Sequence, residues 1–591
     1  MRLELNNISQ IIEKSLYFSS KISISKAKIY IIGADAAVHS LLKQKIELLS
    51  DFTLTTELIA SFYRDIPGQY AFIVLDEEQV TVVSDPYGII KMYYFASEKG
   101  IILTDSLTEL EGEKLSLDTQ ALKYYFVTGY TPSKHTFFNE VQKIEPLSIN
   151  IFDKSNVETK FYGCFGKDLT SGNNFLEKFH SAIRNTLEFT RRHYDSYELA
   201  LSGGIDSTFL MMLMKDKEMF EKSNFSAFKM VGLGQKKNID NDYDILHSKR
   251  LTEIFSKDLK LVDYDFTDKK VTKDFSLLRD SLCCDYAPAM GYIAYSREVE
   301  DGTVIVNGQN ADSVLSFGGM GWPRFNGVRL TGLNGFFTRY FQFYGTENEK
   351  SFLSLIARLL RKIYYRINYP DVGNIFNRKN YFKGIGLNPE NRFYDSSDPA
   401  YQNIKNPDKL ADWFETEYIE PLLNNHKGLS DHALSVILYN KTYMQGSANR
   451  STVISALLAK KTIYLPYTSL QVLELMTNLK PDWHYVFYGK YPNIQLAKHR
   501  LGVPNFVIDR QDPNDADSTV LLYKALTNNQ KFNNFVSQIL EKTNFDKYKD
   551  ILTKEFIGEI KSQVDSIHPD KLNSLMRFVW VESIMQKHNL D

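Results

Sequence analysis

Short runs of β-branched and aromatic residues recur along roughly the first 160 residues of the chain. They occupy residues 28–33, 70–76, 80–85, 92–97 and 100–105, and glycine, serine or aspartate closes each run. Such runs, bounded by turn-forming residues, predict short strands. No long helical pattern dominates this part, so we expect a β-rich first unit.

From about Asn173 the pattern changes to helices that alternate with strands. Residues 175–192 place apolar side chains at helical spacing, a strand pattern follows at 197–202, and the alternation continues to residue 308. Strands alternating with helices indicate a parallel sheet covered by helices. Beyond about residue 320 the pattern is mostly helical, with aromatic-rich loops.

The composition is typical of a soluble globular protein, with 43% hydrophobic and 24% charged residues. A chain of 591 residues exceeds a single core, so several domains are expected. The net charge of −2 argues against a general nucleic-acid-binding surface. Three cysteines form neither a disulfide nor a zinc pattern, and no signal peptide or bilayer-spanning apolar run is evident. We therefore expect a cytoplasmic protein that binds neither nucleic acid nor membrane.

Residues 197–213 predict a strand, a turn of small residues and an apolar helix. Parallel sheets bind ligands at the carboxyl ends of their strands, where this turn would lie. Ser202, Gly203 and Gly204 allow a close approach of the backbone, and the amides that open the helix would attract an anion such as phosphate. Asp206 beside a phosphate requires a bridging cation such as Mg²⁺. A glycine-rich turn with a chance aspartate is the alternative interpretation.

The turn resembles the pyrophosphate loop, Ser-Gly-Gly-x-Asp-Ser, of the N-type ATP pyrophosphatases, with Ser207 as its last residue. It is not the Walker pattern, because no Gly-Lys-Ser/Thr follows. In that family the loop binds the pyrophosphate that leaves when ATP transfers AMP to a substrate oxygen. The loop also occurs in GMP synthetase, argininosuccinate synthetase and tRNA-modifying enzymes, so other segments must narrow the choice.

Residues 285–319 are similar to the second core segment of asparagine synthetases. Asp285 and Pro288 match its Asp-x-Pro, and Asn-Gly-Gln-Asn-Ala-Asp-Ser takes the place of its Ser-Gly-Glu-Gly-Ala-Asp-Glu. The resemblance implies that Gly308 helps to bind the nucleotide and that Asp312 shares the magnesium with the aspartate of the loop. A turn rich in asparagine and aspartate is the alternative interpretation of Asp312.

Two further segments resemble the same family. Residues 228–255 resemble its nucleoside segment, which implies that Val231 and Gly232 present their backbone to adenine. Residues 465–510 resemble its C-terminal stretch. Lys490 falls there near a lysine that stabilises the transition state of amide formation in β-lactam synthetases, and a surface lysine is the alternative.

The front of the chain resembles class II glutamine amidotransferase domains. Residues 67–95 match the core of that domain, with Asp85 and Gly88 in its Arg-Asp-x-x-Gly element. The implied fold class is α/β plus α+β. Residues 1–165 would form an N-terminal Ntn-type β-sandwich domain with helices, and residues 173–591 a parallel-sheet synthetase domain of the adenine nucleotide alpha-hydrolase type.

Two departures from that domain argue against glutamine hydrolysis. The family uses an N-terminal cysteine as its nucleophile, whereas this chain begins with Met1 and Arg2. Gly33, Ala34 and Asp35 stand near the place of the glutamine-holding Asn-Gly-Glu. We therefore expect a degenerate domain kept as a scaffold, without glutaminase activity.

The remaining half implies an AMP- and pyrophosphate-forming amide synthetase that uses ATP and Mg²⁺. Relatives with an inactive glutaminase domain include β-lactam, carbapenam and lasso-peptide macrolactam synthetases. Gln309 stands where β-lactam synthetases carry a tyrosine that, with a glutamate, deprotonates the amine, and Ser313 replaces a family glutamate. Glutamine is no base near neutral pH. A peptide α-amine, with an ordinary pKa of about 8, needs less help from a base.

Macrolactam closure of a ribosomal, lasso-type peptide is the leading hypothesis, and a leader peptidase is then its expected partner. The aromatic-rich residues 320–440 would line a large substrate cavity, unless they form ordinary helical core. One alternative is intermolecular ligation of an amine or amino acid to a uronic acid or natural-product carboxylate. The others are ammonia-dependent asparagine synthesis and a non-catalytic ATP-binding scaffold.

Overall fold

The structure is a computed structural model, and it describes most residues of the chain. These are residues 2–4, 18–24, 27–49, 54–76, 79–97, 100–153, 156–166, 169–216, 218–231, 240–286, 290–316, 377–387, 401–446, 448–480, 490–508, 526, 529–562 and 572–588. Gly232, Pro288 and Met1 lie outside the described residues, as does much of the aromatic-rich region 320–440.

The first unit of the fold is built on two antiparallel sheets. Its strands are β1 (Arg2–Glu4), β2 (Phe18–Ile24), β3 (Ala27–Ile32), β4 (Ala71–Leu75), β5 (Val80–Val83), β6 (Tyr93–Ser97), β7 (Gly100–Thr104), β8 (Val141–Lys143), β9 (Ser148–Phe152) and β10 (Val157–Phe161). The larger sheet has the order β10-β9-β5-β4-β3-β2, and the smaller one has the order β1-β7-β6-β8. Every residue of β4 and β5 is buried, which explains their continuous apolar sequences. The sheets meet where the rings of Tyr94 and Phe152 lie 5.3 Å apart between centroids.

Helices accompany these sheets, and a capping side chain begins each of them. They are α1 (Ala36–Glu47), α2 (Thr56–Asp65) and α3 (Thr119–Thr128). Asp35, Thr55 and Asp118 accept hydrogen bonds from the first free backbone amides of α1, α2 and α3. α3 ends at Gly129, whose φ of +87° is the left-handed conformation common at helix ends.

A five-stranded parallel sheet forms the centre of the second unit. Its strands are β11 (Tyr197–Ala200), β12 (Ser223–Val231), β13 (Leu259–Asp265), β14 (Val304–Asn307) and β15 (Ile463–Tyr464). The order is β13-β12-β11-β14-β15, and every neighbouring pair is parallel. The chain moves outward from β11 to β13 and then returns to the other side of β11 at β14. The carboxyl ends of β11 and β14 therefore form a topological switch point, where open α/β sheets bind ligands.

Helices connect these strands and fill the rest of the second unit. Those up to β14 and directly after it are α4 (Gly172–His193), α5 (Ile205–Asp216), α6 (Asp240–Ile254), α7 (Lys270–Leu282), α8 (Met290–Glu298) and α9 (Ala311–Ser316). The later ones are α10 (Arg378–Leu387), α11 (Pro407–Phe414), α12 (Glu420–Asn425), α13 (Asp431–Lys441), α14 (Tyr443–Gly446), α15 (Ala448–Leu458), α16 (Leu470–Thr477), α17 (Tyr491–Leu496), α18 (Asn505–Ile508), α19 (Gln530–Glu541), α20 (Lys554–Ser562) and α21 (Leu572–Lys587). The division into domains 1–165 and 173–591 stays a prediction. β10 lies before this boundary and α4 begins at it.

A buried ionic cluster joins the two units. Lys91 of the first unit and Arg450 of α15 both pair with the Asp285 carboxylate, and each of the three side chains is at most 1% exposed. Lys143 of β8 lies in the same cluster, where its Nζ donates to the Thr131 carbonyl at 2.7 Å. The first unit is thus held on the second by charged groups shielded from water.

The cysteines are free thiols, with Cys283 and Cys284 buried and Cys164 exposed. The buried thiols of Cys283 and Cys284, which form no disulfide, behave as small hydrophobic side chains. Among the described helices, none is both long and apolar enough to cross a bilayer.

Candidate active site

The turn between β11 and α5 lies under helix α6. Gly203 has a φ of +68°, and a Cβ atom there would lie 2.5 Å from His247 Cβ and 2.8 Å from Ser248 N. Both the backbone conformation and the space therefore require glycine. Ser248 Oγ donates to the Leu201 carbonyl at 2.9 Å, which fixes α6 against the end of β11.

The serines of the turn hold its shape. Ser202 Oγ and Ser207 Oγ lie 3.2 Å apart, and Ser207 Oγ donates to the Gly204 carbonyl at 3.3 Å. The amides of Ser202 and Gly204 donate to these hydroxyls at 3.3 and 3.4 Å. Two amides of the turn that precedes α5 thus have partners inside the turn, although at the long end of hydrogen-bond distances.

Two carboxylates from neighbouring strand ends converge on one cation. Asp206 lies in the first turn of α5, after β11, and Asp312 lies in the first turn of α9, after β14. Lys490 Nζ lies 2.7 Å from Asp206 Oδ2 and 2.6 Å from Asp312 Oδ1. The sequence predicted that these three residues belong to one site, and the structure brings them into direct contact.

The site is electrostatically uneven, because the side chain of Asp206 is 13% exposed while that of Asp312 is 60% exposed. Burial raises the pKa of Asp206, against the opposing charge of Lys490 and with support from that of Asp312. Burial alone would lower the pKa of Lys490, but the two carboxylates reverse that effect and raise it. The ammonium is therefore held firmly in its charged form.

Asn493 and Tyr467 hold Asp206 from the other side, and sequence reasoning missed both. Asn493 Nδ2 donates to Asp206 Oδ1 at 2.6 Å and to the Tyr467 hydroxyl at 2.9 Å. Asn493 lies three residues after Lys490, in the first turn of α17, and this nearness in sequence is the signal that could have identified it.

The two carboxylates can supply only some of the ligands that a divalent cation needs. Among the described residues, no group of three or more His, Cys, Asp and Glu side chains could hold a metal ion. Asp206 and Asp312 supply two carboxylates aimed at one point, and Lys490 shows that the point accepts a cation. Mg²⁺ takes one or two carboxylates together with substrate phosphates and water, which this donor set would allow.

The segment after β14 lies against the opening of α5. A Cβ atom on Gly308 would lie 3.4 Å from Ser207 N, so the two backbones are close. The Gln309 amide donates to Asn307 Oδ1 at 2.7 Å, and Gln309 Oε1 accepts from the Tyr292 hydroxyl at 3.4 Å. Burial raises the pKa of Tyr292, which therefore stays a neutral donor.

The adenine segment is described only in part. Val231 is the last residue of β12, the neighbour of β11, and so lies at the same edge of the sheet as the turn. Gly232 lies outside the described residues.

The first unit has a cavity of about 370 Å³ where the glutamine-holding motif was expected. Gly33, Ala34 and Asp35 line it together with residues 460–464 of the second unit. Asp35 Oδ1 accepts from the first amides of α1, and its Oδ2 accepts from the Tyr464 hydroxyl at 2.7 Å. This carboxylate is therefore occupied in capping a helix and linking the units.

Asp85, by contrast, shapes the loop that follows β5. Its carboxylate accepts from the backbone amides of Tyr87, Ile89 and Ile90 at 2.8–3.1 Å. Burial nevertheless raises the pKa of Asp85 to about 6.

Comparison with known proteins gives a family match for the first unit. Residues 52–163 match the model of the glutamine amidotransferase domain. The chain is 22% identical over 383 residues to a putative glutamine-hydrolysing asparagine synthetase of Methanocaldococcus jannaschii, covering 60% of this chain and 68% of that protein. It is also 22% identical over 285 residues to a glutamine-hydrolysing asparagine synthetase of Bacillus subtilis, covering 45% of this chain and 43% of that protein.

The similar solved structures are more remote. One is a glutamine phosphoribosylpyrophosphate amidotransferase of B. subtilis complexed with ADP and GMP, at 12% identity and a TM-score of 0.17, covering 49% of this chain and 58% of that one. Another is an allosteric regulatory enzyme of purine biosynthesis, at 11% identity and a TM-score of 0.16, covering 50% of this chain and 58% of that one. Scores this low carry no argument about the fold. The domain match and the two relatives support an asparagine synthetase-like family.

Proposed function

We propose that this chain is an ATP-dependent ligase that forms amide bonds by transferring AMP to a substrate carboxylate and releasing pyrophosphate. One observation carries the proposal: Asp206 and Asp312, from the ends of adjacent parallel strands, converge on one cation beside a glycine-rich turn. The similarity to asparagine synthetases points to the same chemistry.

Each residue of the site has a part in this reaction. The amides at the start of α5 bind the phosphates that become pyrophosphate, and Ser202 and Ser207 keep the turn in shape. Asp206 and Asp312 hold Mg²⁺, which when bound neutralises charge on the phosphate oxygens. Gly308, where the segment after β14 lies against the opening of α5, presents its backbone to the nucleotide. Val231 and Gly232 present backbone groups to adenine.

Lys490 stabilises negative charge in the second half of the reaction, when an amine opens the acyl-adenylate. Its ammonium carries a raised pKa and lies at the carboxylates that would face the phosphates. Gln309 positions the amine by hydrogen bonding and takes no proton from it. An amine that is partly neutral at physiological pH suits such a site, as a peptide α-amine is.

The favoured substrate is therefore a peptide whose α-amine closes on its own side-chain carboxylate, a macrolactam of the lasso type. The same chemistry joins two molecules when carboxylate and amine lie on different ones. Glutamine is not proposed as the nitrogen source. Asp35, which stands at the place of the glutamine-holding motif, already accepts hydrogen bonds from an amide of α1 and from the Tyr464 hydroxyl.

The first test measures binding of magnesium pyrophosphate by calorimetry, which needs no knowledge of the substrate. The Asp206→Asn and Asp312→Asn variants should lose this binding. The matched control is Asp195→Asn, because the Asp195 side chain is 98% exposed and precedes β11, at the other end of the strand. Wild-type protein that binds no magnesium pyrophosphate would contradict the proposal.

The second test identifies the nucleotide product with ATP, Mg²⁺ and fractionated peptides and metabolites of the host. We expect AMP and pyrophosphate in particular fractions, and a loss of about a hundredfold or more in Asp206→Asn and Asp312→Asn. Mass spectrometry then separates loss of one water within one peptide from condensation of two molecules. ADP as the product would rule out adenylation.

A further inference from the structure

The ammonium of Lys490 occupies the position between two carboxylates that a bridging metal would take. Its Nζ lies 2.7 Å from Asp206 Oδ2 and 2.6 Å from Asp312 Oδ1. A Mg²⁺ ion bound to the same two oxygens would lie about 2.1 Å from each. The ammonium and the metal therefore exclude one another at these oxygens.

Asp206 does not depend on Lys490 for its position. Its other oxygen, Oδ1, accepts from Asn493 Nδ2 at 2.6 Å, and the Tyr467 hydroxyl donates to the Asp206 carbonyl at 3.5 Å. If the ammonium moved away, the carboxylate would stay aimed at the same point. The exchange of one cation for another thus needs movement of a single side chain.

Lys490 is placed to make that movement. It directly precedes α17, and its carbonyl accepts from the Ile494 amide at 3.1 Å, so its backbone is anchored to the helix independently of its side chain. Its side chain is 27% exposed, while that of Asp312 is 60% exposed. The long, flexible lysine stem can then carry the ammonium from the carboxylates toward anions bound beside them.

The charge of the site favours exchange only when phosphates arrive. Two carboxylates and one ammonium leave a single negative charge, and a divalent cation added without anions would have to displace the ammonium into water. With a nucleotide triphosphate present, both the metal and the ammonium have anionic partners. We infer that Lys490 is a built-in counter-ion that competes with Mg²⁺ for Asp206 and Asp312 and gives way when the metal arrives with the nucleotide. This inference rests on the proposed metal–nucleotide site.

The consequence is a metal site that stays weak until the nucleotide is present, with Lys490 released toward the phosphates in the same step. Metal binding and the placement of the lysine are thereby coupled. A lysine that merely faced the site from solvent would lower metal affinity only weakly in the absence of nucleotide, through a long-range repulsion that salt screens.

Electron paramagnetic resonance of free Mn²⁺ tests this directly, since Mn²⁺ replaces Mg²⁺ at oxygen sites. Without nucleotide, Lys490→Met should bind Mn²⁺ about tenfold more tightly than wild type, because the competing charge is gone. Lys490→Arg keeps the charge and should show no gain. Adding Asp312→Asn to Lys490→Met should abolish the gain, which would place the Mn²⁺ at these carboxylates.

The result that overturns the inference is a folded Lys490→Met variant that binds Mn²⁺ no more tightly than wild type. Thermal unfolding verifies folding, and Lys490→Gln serves as the neutral variant if Lys490→Met does not fold. Wild-type protein is also titrated with Mn²⁺ and a non-hydrolysable ATP analogue. Normal binding there, with no gain in the neutral variant, rejects the counter-ion and keeps the proposed function. No binding there rejects the proposed function itself.

Discussion

At the scale of single residues, the position of Asp206 depends on an amide that the sequence patterns did not single out. Asn493 is fully buried and donates both to Asp206 Oδ1 and to the Tyr467 hydroxyl. A buried carboxylate oxygen that loses its donor carries the full cost of desolvation. Asn493 is therefore as much a part of the site as the residues of the turn.

Asn493→Leu, which keeps the approximate volume and removes the amide, tests that dependence. We expect the free energy of unfolding to fall by about 1–3 kcal/mol. The affinity for magnesium pyrophosphate should fall as well, by about tenfold, because Asp206 is no longer held toward the metal. Chemical denaturation and calorimetry measure the two effects.

Asn185→Leu is the matched control, because Asn185 also donates from its amide, to Gln471 at 3.0 Å, but in an exposed position. It should leave both quantities nearly unchanged. A loss of stability in Asn493→Leu without any loss of pyrophosphate affinity would show that Asn493 supports the fold and not the metal ligand.

Some residues of the site were predictable from the sequence and others were not. Asp206 and Asp312 were identified as site residues because each lies in a short motif just after a strand. The contact of Lys490 with both carboxylates depends on the position of α17, which begins nearly 180 residues after Asp312 along the chain. Tyr292 reaches Gln309 from a different element, and no local spacing signals that contact.

At the scale of elements, the turn between β11 and α5 is constrained by the helix that packs on it. Because a Cβ atom on Gly203 would lie 2.5 Å from His247 Cβ and 2.8 Å from the Ser248 amide nitrogen, α6 would have to move. Gly203→Ala should therefore lower the free energy of unfolding by about 3 kcal/mol or more. Binding of magnesium pyrophosphate should be lost in the folded fraction, which calorimetry below the unfolding transition would measure.

Gly502→Ala separates backbone strain from crowding in this experiment. Gly502 has a nearly equal φ of +64°, but in the part of the chain that the structure describes no heavy atom other than those of its chain neighbours lies within 4 Å of the position of its Cβ. It should cost only the left-handed conformation, about 1 kcal/mol. Equal losses in both variants would mean that the packing of α6 on the turn adds nothing.

Some helices and strands were predictable from local sequence patterns, and others were not. The pattern at residues 175–192 predicted α4, because its buried residues recur at helical spacing. The run at residues 197–202 predicted β11 as a short, mostly buried strand that ends at a turn of small residues. α3 gave no such signal, since six consecutive residues from Ala121 to Phe126 are buried, the charged Lys123 among them. The two-residue strand β15 pairs with β14 across more than 150 residues, which no local pattern could indicate.

At the scale of the whole molecule, the two units are joined through a buried cluster with more positive than negative groups. Burial by itself raises the pKa of Asp285, but Lys91 and Arg450 lower it overall. Burial lowers the pKa of Lys91, and the charges of Lys143 and Arg450 act in the same direction. Arg450 keeps its proton, and its positive charge keeps Asp285 ionised. The Asp285 carboxylate in turn compensates positive charge that would otherwise be buried without a partner.

Asp285→Asn therefore leaves the buried guanidinium of Arg450 without its carboxylate. We expect a loss of about 3–5 kcal/mol in the free energy of unfolding at pH 7, measured by chemical denaturation. Asp195→Asn, which removes an exposed carboxylate paired with Lys222, should leave that free energy almost unchanged.

The pH dependence of this difference follows from the direction of the Asp285 pKa. A carboxyl whose pKa is lowered by folding stabilises the protein fully above its ordinary value of about 3.9, and the contribution disappears as the pH falls through the lower folded-state value. The part of the difference between wild type and Asp285→Asn that comes from the carboxyl should thus shrink only below about pH 4. Around neutrality the difference should hold or widen as the pH falls, because the variant also loses the charge that supports the lowered pKa values of Lys91 and Lys143. A difference that already shrank between pH 8 and 6 would mean that the carboxyl is protonated near neutrality. The two units would then be held together by packing and hydrogen bonds, without an ion pair at Asp285.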